Sequence, residues 1–537
     1  MMGQKQLQAN PQLRLVLVAA IVFWVICGVL VLQRYFNFYP TYVSFDQGIF
    51  NQVFWNNLQG RWFESSLSST ESSSVMQGEL PDVTYRRLGQ HFTPALLLWL
   101  PWYALFPSPA GLSILQVTLV TAAGLVLYAL ARQFLQADLS AMIALSYYGA
   151  IAVISPTLAN FHDICQMPLY IFGLLLALEK RSWVWLGLLA VLTLLVREDS
   201  GVVLFGIGFF LTVSRRAPRI GIGFCVLSLG YMLAVTNWVM PLFSQDVSKR
   251  FMIEQFGQFV DSDQASTLDV IKGILSNPGR LIVEVVVPFD RTLRYLLGQW
   301  VPLAFIPVIS PSAWLLAGFP MLKVLIQRED ITSLSLHLRY AMTLVPGLFY
   351  GTILWWQEHP QFFQHRWRRI WIGCIILSLF FTLTSNPNRV LSFAIPDSFQ
   401  PWVYVSPPRQ WQHSQAIRSL LTQIPAEASV TATDHIVAHV SNRREVLRFP
   451  MQRLQNDRQK NQRVDYAIAD LWYLQQYQPA FEDYRKSLKE AIASVDQLQT
   501  RRYGVVGFAD GVVLLQWKQA DEPAALAAWK TYRQAAL

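Results

Sequence analysis

The chain has 537 residues, of which 53% are hydrophobic and only 14% are charged, with a formal net charge of +9. Soluble globular proteins carry about 25% charged residues, so this composition excludes an ordinary soluble enzyme. The charged residues are unevenly placed, because residues 401–537 hold 30 of them and the first 400 residues hold 47. We therefore expect a polytopic membrane domain over 1–393 and a water-exposed domain over 394–537.

The membrane domain contains apolar runs near the length of a spanning helix, for which about 20 residues are typical and about 17 suffice. They cover 13–34, 110–131, 139–157, 164–180, 183–197, 200–214, 219–241, 293–309, 311–327, 338–356 and 369–386. One further run, 91–106, is short and holds Pro94 and Pro101, which break helices. We interpret it as a re-entrant or interfacial segment, so the sequence predicts about 11 spans.

The orientation follows from the basic residues, which favour cytoplasmic turns. If 91–106 does not cross, the N-terminus and every strong basic cluster face the cytoplasm, whereas a full crossing moves the clusters outside. The clusters contain Lys180 and Arg181, then Arg215, Arg216 and Arg219, then Arg366, Arg368 and Arg369. We expect them to mark topology and not a nucleic-acid partner. The segment 244–290 and the C-terminal domain then face the extracytoplasmic side of a plasma membrane.

The same topology places the first loop, 35–90, outside. Within it, apolar residues at 49, 50, 53, 54 and 58 follow the stripe of an amphipathic helix, whose other face is Asn and Gln. We expect this helix to lie on the membrane surface. Asp46 stands at its N-terminal end, where an acidic side chain caps the first turn and meets the positive end of the helix dipole.

The C-terminal domain shows alternating helix and strand patterns. Helices are predicted around 414–421 and 479–497, and strands around 429–433 and 464–468. Asp510-Gly511 between two apolar alternations over 503–517 predicts a β-hairpin. The sequence therefore indicates a small α/β domain, without a nucleotide-binding glycine pattern, a Walker motif or a serine-hydrolase elbow.

Ionisable residues at membrane depth are costly and usually functional. Asp46 is either a helix cap or a general base that takes a proton from an acceptor hydroxyl. His91, His162 and Asp163 are either hydrogen-bonded interface residues or contacts for phosphate or a metal.

A second group of candidates comes later in the chain. Arg197, Glu198 and Asp199 form either a solvated turn or an ion-paired site in which Arg197 meets phosphate as a forked donor. Three residues that open a later span could complete a phosphate contact or could simply be structural: His337, Arg339 and Tyr340.

The runs Phe45–Gln52, Gly89–Pro94, Phe161–Asp163 and Arg197–Asp199 resemble a bacterial family of predicted polytopic membrane proteins of unknown function, placed near the GT-C glycosyltransferases. The resemblance implies a GT-C-like α-helical membrane enzyme that takes a sugar from a polyprenyl-phosphate donor. It also implies an acidic residue in the first outer loop, a place that Asp46 occupies.

The resemblance implies a second acidic site, for which Asp163, Glu198 and Asp199 are candidates, sometimes with a divalent metal such as Mg²⁺ or Mn²⁺. The first loop lacks an Asp-X-Asp or Glu-X-Asp pair, so no cofactor follows from the sequence. We expect an inverting glycosyltransferase whose partners are the bilayer, a polyprenyl-phosphate-linked sugar and an acceptor of unknown class. The alternative is a non-catalytic lipid-handling or transport protein whose charges line a path through the bilayer.

Overall fold

The computed structural model describes residues 11–39, 44–244, 256–260, 267–327 and 334–536. The chain is mostly helical, with a small sheet region near its C-terminus. It divides into two compact units. The helical unit contains Met1–Val29, Leu88–Trp99 and Ser113–Pro387, and the sheet unit contains Leu30–Arg87, Leu100–Leu112 and Asn388–Leu537.

Most α-helices belong wholly or mainly to the helical unit. They are Pro11–Phe36, Pro109–Ala131, Ala137–Tyr148, Ile151–Thr157, Met167–Glu179, Trp183–Val196, Gly201–Val213, Pro218–Ala234, Thr267–Ser276, Pro278–Val286, Phe289–Trp300, Ile306–Ile309, Pro311–Leu325, Val345–Glu358 and His365–Thr384. Short 3-10 helices cover Asp163–Gln166 and Arg339–Thr343, among others.

Within the described residues, four helical segments are long and apolar enough to cross a membrane. These are Pro11–Phe36, Pro109–Ala131, Pro218–Leu242 and His365–Thr384. A fifth span is counted if Ala137–Tyr148 and Ile151–Thr157, which meet at a 45° bend, cross as one. The five match apolar runs picked out from the sequence, so a membrane protein with several apolar helices is confirmed, while the count of about 11 is not.

The remaining predicted spans correspond to shorter or broken helices. Trp183–Val196, Gly201–Val213 and Pro311–Leu325 are apolar helices of 13 to 15 residues. The prediction of one helix over 293–309 is wrong, because the helix Phe289–Trp300 ends there and Ala304 and Phe305 adopt left-handed backbone conformations. Pro302 and Pro307 also disfavour a continuous helix here, because a proline has no backbone N–H to donate.

The run 91–106 forms a 3-10 helix, Pro94–Trp99, followed by a short α-helix, Leu100–Leu105. Pro94 and Pro101 stand in the first turns of these helices, where a missing N–H leaves no hydrogen bond unmade. The boundary between the two units falls between the two helices. Part of the predicted outer loop 244–290, namely 245–255 and 261–266, lies outside the described residues.

Among the described residues, the sheet unit contains nine strands. They are β1 (Ser398–Phe399), β2 (Trp402–Val403), β3 (Val430–Ala432), β4 (Val446–Arg448), β5 (Arg453–Gln455), β6 (Asn461–Arg463), β7 (Tyr466–Asp470), β8 (Tyr503–Ala509) and β9 (Val512–Trp517). Five of them form one sheet in the order β4-β3-β7-β9-β8. In this sheet β3 runs parallel to β4 and β7, and β9 runs antiparallel to β7 and β8.

Helices cover both faces of this sheet. They are Pro407–Leu421, Asp434–Val440, Trp472–Tyr477, Glu482–Thr500 and Pro523–Ala536. One core contains Ile417, Ile436 and Leu514, and the other contains Leu488, Val495 and Trp529. The hairpin turn at Asp510-Gly511 has two positive φ angles, as the sequence pattern requires. The α/β fold predicted for the C-terminal segment is therefore present.

The helix predicted in the first loop spans Ser44–Leu58, but it belongs to the sheet unit. Phe45 and Ile49 join the core that contains Ile417, and the polar face is buried as well. Asn51 donates to Ser441 Oγ at 2.8 Å, and Gln52 donates to Ser66 Oγ at 2.9 Å. The expected position on a membrane surface is therefore wrong, because protein atoms cover the Asn and Gln side chains.

Gly48 lets this helix approach Asp434–Val440 closely. A Cβ atom at Gly48 would lie 2.5 Å from Val437 Cγ1 and 3.4 Å from the backbone nitrogen of Ala438. We expect Gly48→Val to lower the free energy of unfolding by about 2 kcal/mol through overpacking. The control is Gly373→Val, because no atom lies within 4 Å of that position. Thermal unfolding in detergent measures both variants, and equal melting temperatures would contradict this packing.

Candidate functional site

The helical unit contains a cluster of buried charges at the junction of two apolar helices. Trp183–Val196 ends at Arg197, whose backbone is extended (φ −165°, ψ 156°), and the next helix begins at Gly201. This turn places Arg197, Glu198 and Asp199 together. The side chain of Arg197 is only 2% exposed, so the alternative of a solvated turn is excluded.

Glu198 connects this turn to the segment that contains His91. Glu198 Oε1 lies 2.9 Å from His91 Nδ1 and 3.2 Å from Arg197 Nε. The other carboxylate oxygen accepts the backbone N–H of Phe92 at 3.0 Å. Both oxygens of Glu198 are therefore engaged, and His91 is held by an acidic partner that is itself neutralised by Arg197.

Asp199 has a cationic partner that the sequence analysis missed. It pairs with Lys323 in the last turn of Pro311–Leu325, and its Oδ1 lies 3.5 Å from Arg197 Nε. Lys323 is a lone charge inside a predicted apolar span, and this is the signal that could have identified it. Arg197 and Lys323 thus flank one carboxylate from two sides.

Aromatic and acidic residues complete the surroundings of Arg197. Its guanidinium carbon lies 5.7 Å from the ring centre of Tyr340, and that of Arg339 lies 5.5 Å from the same ring. The 3-10 helix that begins at Asp163 contacts the one that begins at Arg339. Asp163 is 1% exposed, and its Oδ1 accepts the backbone N–H of Ile164. Its Oδ2 has no hydrogen-bond partner among the described residues.

Two further candidates stand next to this group in the sequence. The ring of His162 is buried with Nε2 3.4 Å from the carbonyl oxygen of Pro156, and its backbone N–H donates to Gln116 Oε1 at 3.0 Å. His337 precedes Arg339 by two residues, and its backbone N–H donates to Ser335 Oγ. The contacts described here for His162 and His337 do not include the ion pairs around Arg197. Those ion pairs connect four of the predicted site residues in one cluster: His91, Arg197, Glu198 and Asp199.

Arg197 retains donor capacity for a ligand. Its Nη1 is buried and has no hydrogen-bond partner among the described residues. A guanidinium group is a forked donor suited to phosphate oxygens. No group of three or more His, Cys, Asp or Glu side chains among the described residues has the arrangement that a metal ion needs. The unpartnered Nη1 of Arg197 can therefore donate to a phosphate oxygen.

Asp46 belongs to the sheet unit, in the first turn of Ser44–Leu58. Arg448, at the end of β4, lies near Asp46. It donates two hydrogen bonds of 2.8 and 2.7 Å to Asp434. Glu71 Oε1 lies 3.6 Å from Arg448 Nη1. Burial and the charge of Asp46 raise the pKa of Glu71 to about 7. Glu71 is therefore an acidic neighbour of Asp46 whose carboxyl group ionises less readily than usual.

A second carboxylate network lies deeper in the sheet unit. Asp470 ends β7 and accepts from His413 Nε2 at 2.9 Å and from the backbone N–H of Trp472 at 2.9 Å. His413 Nδ1 lies 2.9 Å from Asp510, which Arg409 binds through both terminal nitrogens. Burial alone would lower the pKa of His413, but the two carboxylates raise it to about 9.

This raised pKa predicts a pH-dependent stability. The ordinary histidine pKa is 6.5, so the stabilisation is fully present below pH 6.5 and is lost as the pH rises through about 9. The loss amounts to at most about 3 kcal/mol. Thermal unfolding of the full chain between pH 6.5 and 9.5 should show a falling melting temperature, and His413→Gln should remove that fall. The exposed His365→Gln is the control, and a wild-type melting temperature that stays constant would contradict the raised pKa.

A family model described as a predicted membrane protein (DUF2079) matches residues 34–514. The match covers every candidate residue from Asp46 to Tyr340, together with the central sheet apart from the last strand's end. No curated protein matches the chain.

Proposed function

The chain belongs to the family of predicted membrane proteins DUF2079, and we propose that it is an integral membrane glycosyltransferase of GT-C type. In this proposal it transfers a sugar from a polyprenyl-phosphate donor to an acceptor on the extracytoplasmic face. The observation that carries the proposal is the buried guanidinium of Arg197, whose Nη1 has no hydrogen-bond partner among the described residues.

The guanidinium of Arg197 lies between two apolar helices. A charge among apolar helices costs several kcal/mol unless it is paired, and such charges usually mark a substrate path. Glu198 and Asp199 neutralise Arg197 and Lys323 without occupying Arg197 Nη1. A lipid-linked phosphate supplies the acceptor oxygens for that nitrogen, and its polyprenyl chain is compatible with the surrounding apolar helices.

We propose a membrane topology as well. The N-terminus lies in the cytoplasm, and the shorter apolar helices add to the four or five candidate spans to give a multi-pass protein of the inner membrane. The basic residues near Arg216 and Arg368 then face the cytoplasm, as the positive-inside rule requires. The turn Arg197–Asp199 faces the extracytoplasmic side, where polyprenyl-phosphate sugars are used by enzymes of the GT-C type.

Asp46 is the proposed base. A carboxylate takes the proton of the acceptor hydroxyl while that oxygen bonds to the anomeric carbon and the donor phosphate leaves with the electron pair of the broken C–O bond. This displacement inverts the anomeric carbon. Support comes from the first-loop position of Asp46 and from its neighbours Glu71 and Arg448, since burial and the charge of Asp46 raise the pKa of Glu71 to about 7.

Lipid handling without transfer is the second candidate, because phosphate binding by Arg197 requires no chemistry. The two functions differ in whether the sugar–phosphate bond breaks. A lipid-handling protein binds the polyprenyl-phosphate sugar but leaves its sugar–phosphate bond intact. Assays of sugar transfer therefore separate the two candidates.

We expect Arg197→Gln to weaken binding of a polyprenyl-phosphate sugar and to lower transfer on the order of 10²-fold, because a charged donor to phosphate is lost. The control is Arg216→Gln, which removes an arginine near Glu179 outside this cluster. Donor binding and sugar transfer by the full chain in nanodiscs provide the two measurements. Wild-type donor affinity in Arg197→Gln would overturn the assignment of the phosphate site.

We expect Asp46→Asn to lower the transfer rate on the order of 10²–10⁴-fold, because an amide cannot accept the proton. The melting temperature should change little, since Asn also serves near a helix N-terminus. Asp46→Ala is the stability comparison, with a cost of about 1 kcal/mol if the side chain supports the first helical turn. Transfer by Asp46→Asn at the wild-type rate would leave Asp46 with a structural role only.

A further inference from the structure

The sheet unit contains a histidine at the edge where α/β folds bind ligands. β3, β4 and β7 are parallel, so their carboxyl ends meet at one edge of the sheet. The chain leaves β3 for β4 on one side and returns to β7 on the other, which makes the gap between β3 and β7 a topological switch point. Ligands of open α/β sheets bind outside the carboxyl ends at such points. His435 follows β3 and Asp470 ends β7.

His435 is held in a defined orientation. Its Nε2 lies 2.7 Å from Asp470 Oδ2, and its ring is perpendicular to that of Tyr473 at 5.6 Å. A buried carboxylate that binds one imidazole nitrogen fixes the tautomer, so that the other nitrogen accepts hydrogen bonds or protons. The side chain is 9% exposed, and the hydrogen bond that its ring makes to the described residues is the one from Nε2 to Asp470.

The comparison with His413 shows why His435 is the available imidazole. His413 also binds Asp470, but its second nitrogen lies 2.9 Å from Asp510, and its side chain is fully buried. Trp472 stacks on its ring at 4.3 Å. His413 therefore serves as the counter-charge that keeps Asp470 ionised, and His435 has the nitrogen that can meet a ligand.

The charges along this edge decide the class of ligand. Arg448, at the end of β4, is engaged by Asp434 and Glu71 and is near Asp46. Three carboxylates around one guanidinium disfavour an anionic ligand, and His413 balances the charge of Asp470. Carboxylate and imidazole acceptors instead suit a neutral molecule rich in hydroxyl donors.

We propose that the carboxyl edge of this sheet is a binding site for a neutral, hydroxyl-rich ligand of the sugar class, and that His435 accepts a hydrogen bond from one of its hydroxyl groups. Asp470 acts as the positioning residue for His435. The inference deepens the proposed function, on which it rests, because it names a sugar as the acceptor class.

The test is protection of His435 from carbethoxylation by diethyl pyrocarbonate, followed by mass spectrometry on the full chain in nanodiscs. The probes are the methyl glycosides of glucose, galactose, mannose and N-acetylglucosamine. At least one of them should slow the modification of His435 about tenfold at ten times its dissociation constant. The exposed His365 should react at an unchanged rate, and the buried His413 should stay unreactive throughout.

Two variants separate binding from folding. Saturation-transfer NMR should detect the protective glycoside with wild-type protein and lose the signal with His435→Ala. Asp465→Asn is the matched control, because Asp465 precedes β7 at its amino end and binds Ser429 there. This variant should keep the signal, and Asp470→Asn should lose it if the variant folds.

The inference would be overturned if no glycoside changed the rate at which His435 is carbethoxylated. It would also be overturned if sodium sulfate protected His435 equally well. A failure of the proposed function gives a different result. In that case the protein neither binds the donor nor transfers the sugar, but a glycoside still protects His435 from modification. A working transferase whose His435 none of the four glycosides protects would overturn this inference alone.

Discussion

The neutralisation of Arg197 is the constraint on which the helical unit depends. Removing a guanidinium group from water costs several kcal/mol unless counter-charges are supplied. Glu198 and Asp199 supply them from the next two positions, and they in turn bring His91 and Lys323 to the same place. Three separate parts of the chain therefore meet at one turn between two apolar helices, and Arg197 Nη1, which has no hydrogen-bond partner among the described residues, is the proposed donor to phosphate.

Much of the local structure could be predicted from the sequence, since periodicity and turn chemistry act over short distances. The spanning helix Pro11–Phe36, strands β3 and β7 and the hairpin at Asp510-Gly511 follow directly from such patterns. The loop helix Ser44–Leu58 was predicted as a helix but placed on a membrane surface. Its polar side chains bind residues nearly 400 positions away, such as Asn51 with Ser441, and no local pattern contains that information.

Some residues of the candidate site could likewise be selected from the sequence, whereas others are known only from the packing of the chain. Arg197, Glu198 and Asp199 could be selected because charges between apolar runs are conspicuous. Lys323 is equally conspicuous inside its apolar run, but its partner Asp199 is known only from the packing of two helices. Glu71, His413, His435 and Asp470 carry no sequence signal, because ordinary polar segments supply them and the sheet brings them to one edge.

The most direct test of the phosphate site is cryo-electron microscopy of the full chain in nanodiscs with added polyprenyl phosphate. The account predicts phosphate density within hydrogen-bonding distance of Arg197 Nη1, with the pairs to Glu198 and Asp199 intact. Phosphate density bound elsewhere in the protein, with Arg197 Nη1 contacting only protein atoms, would contradict it.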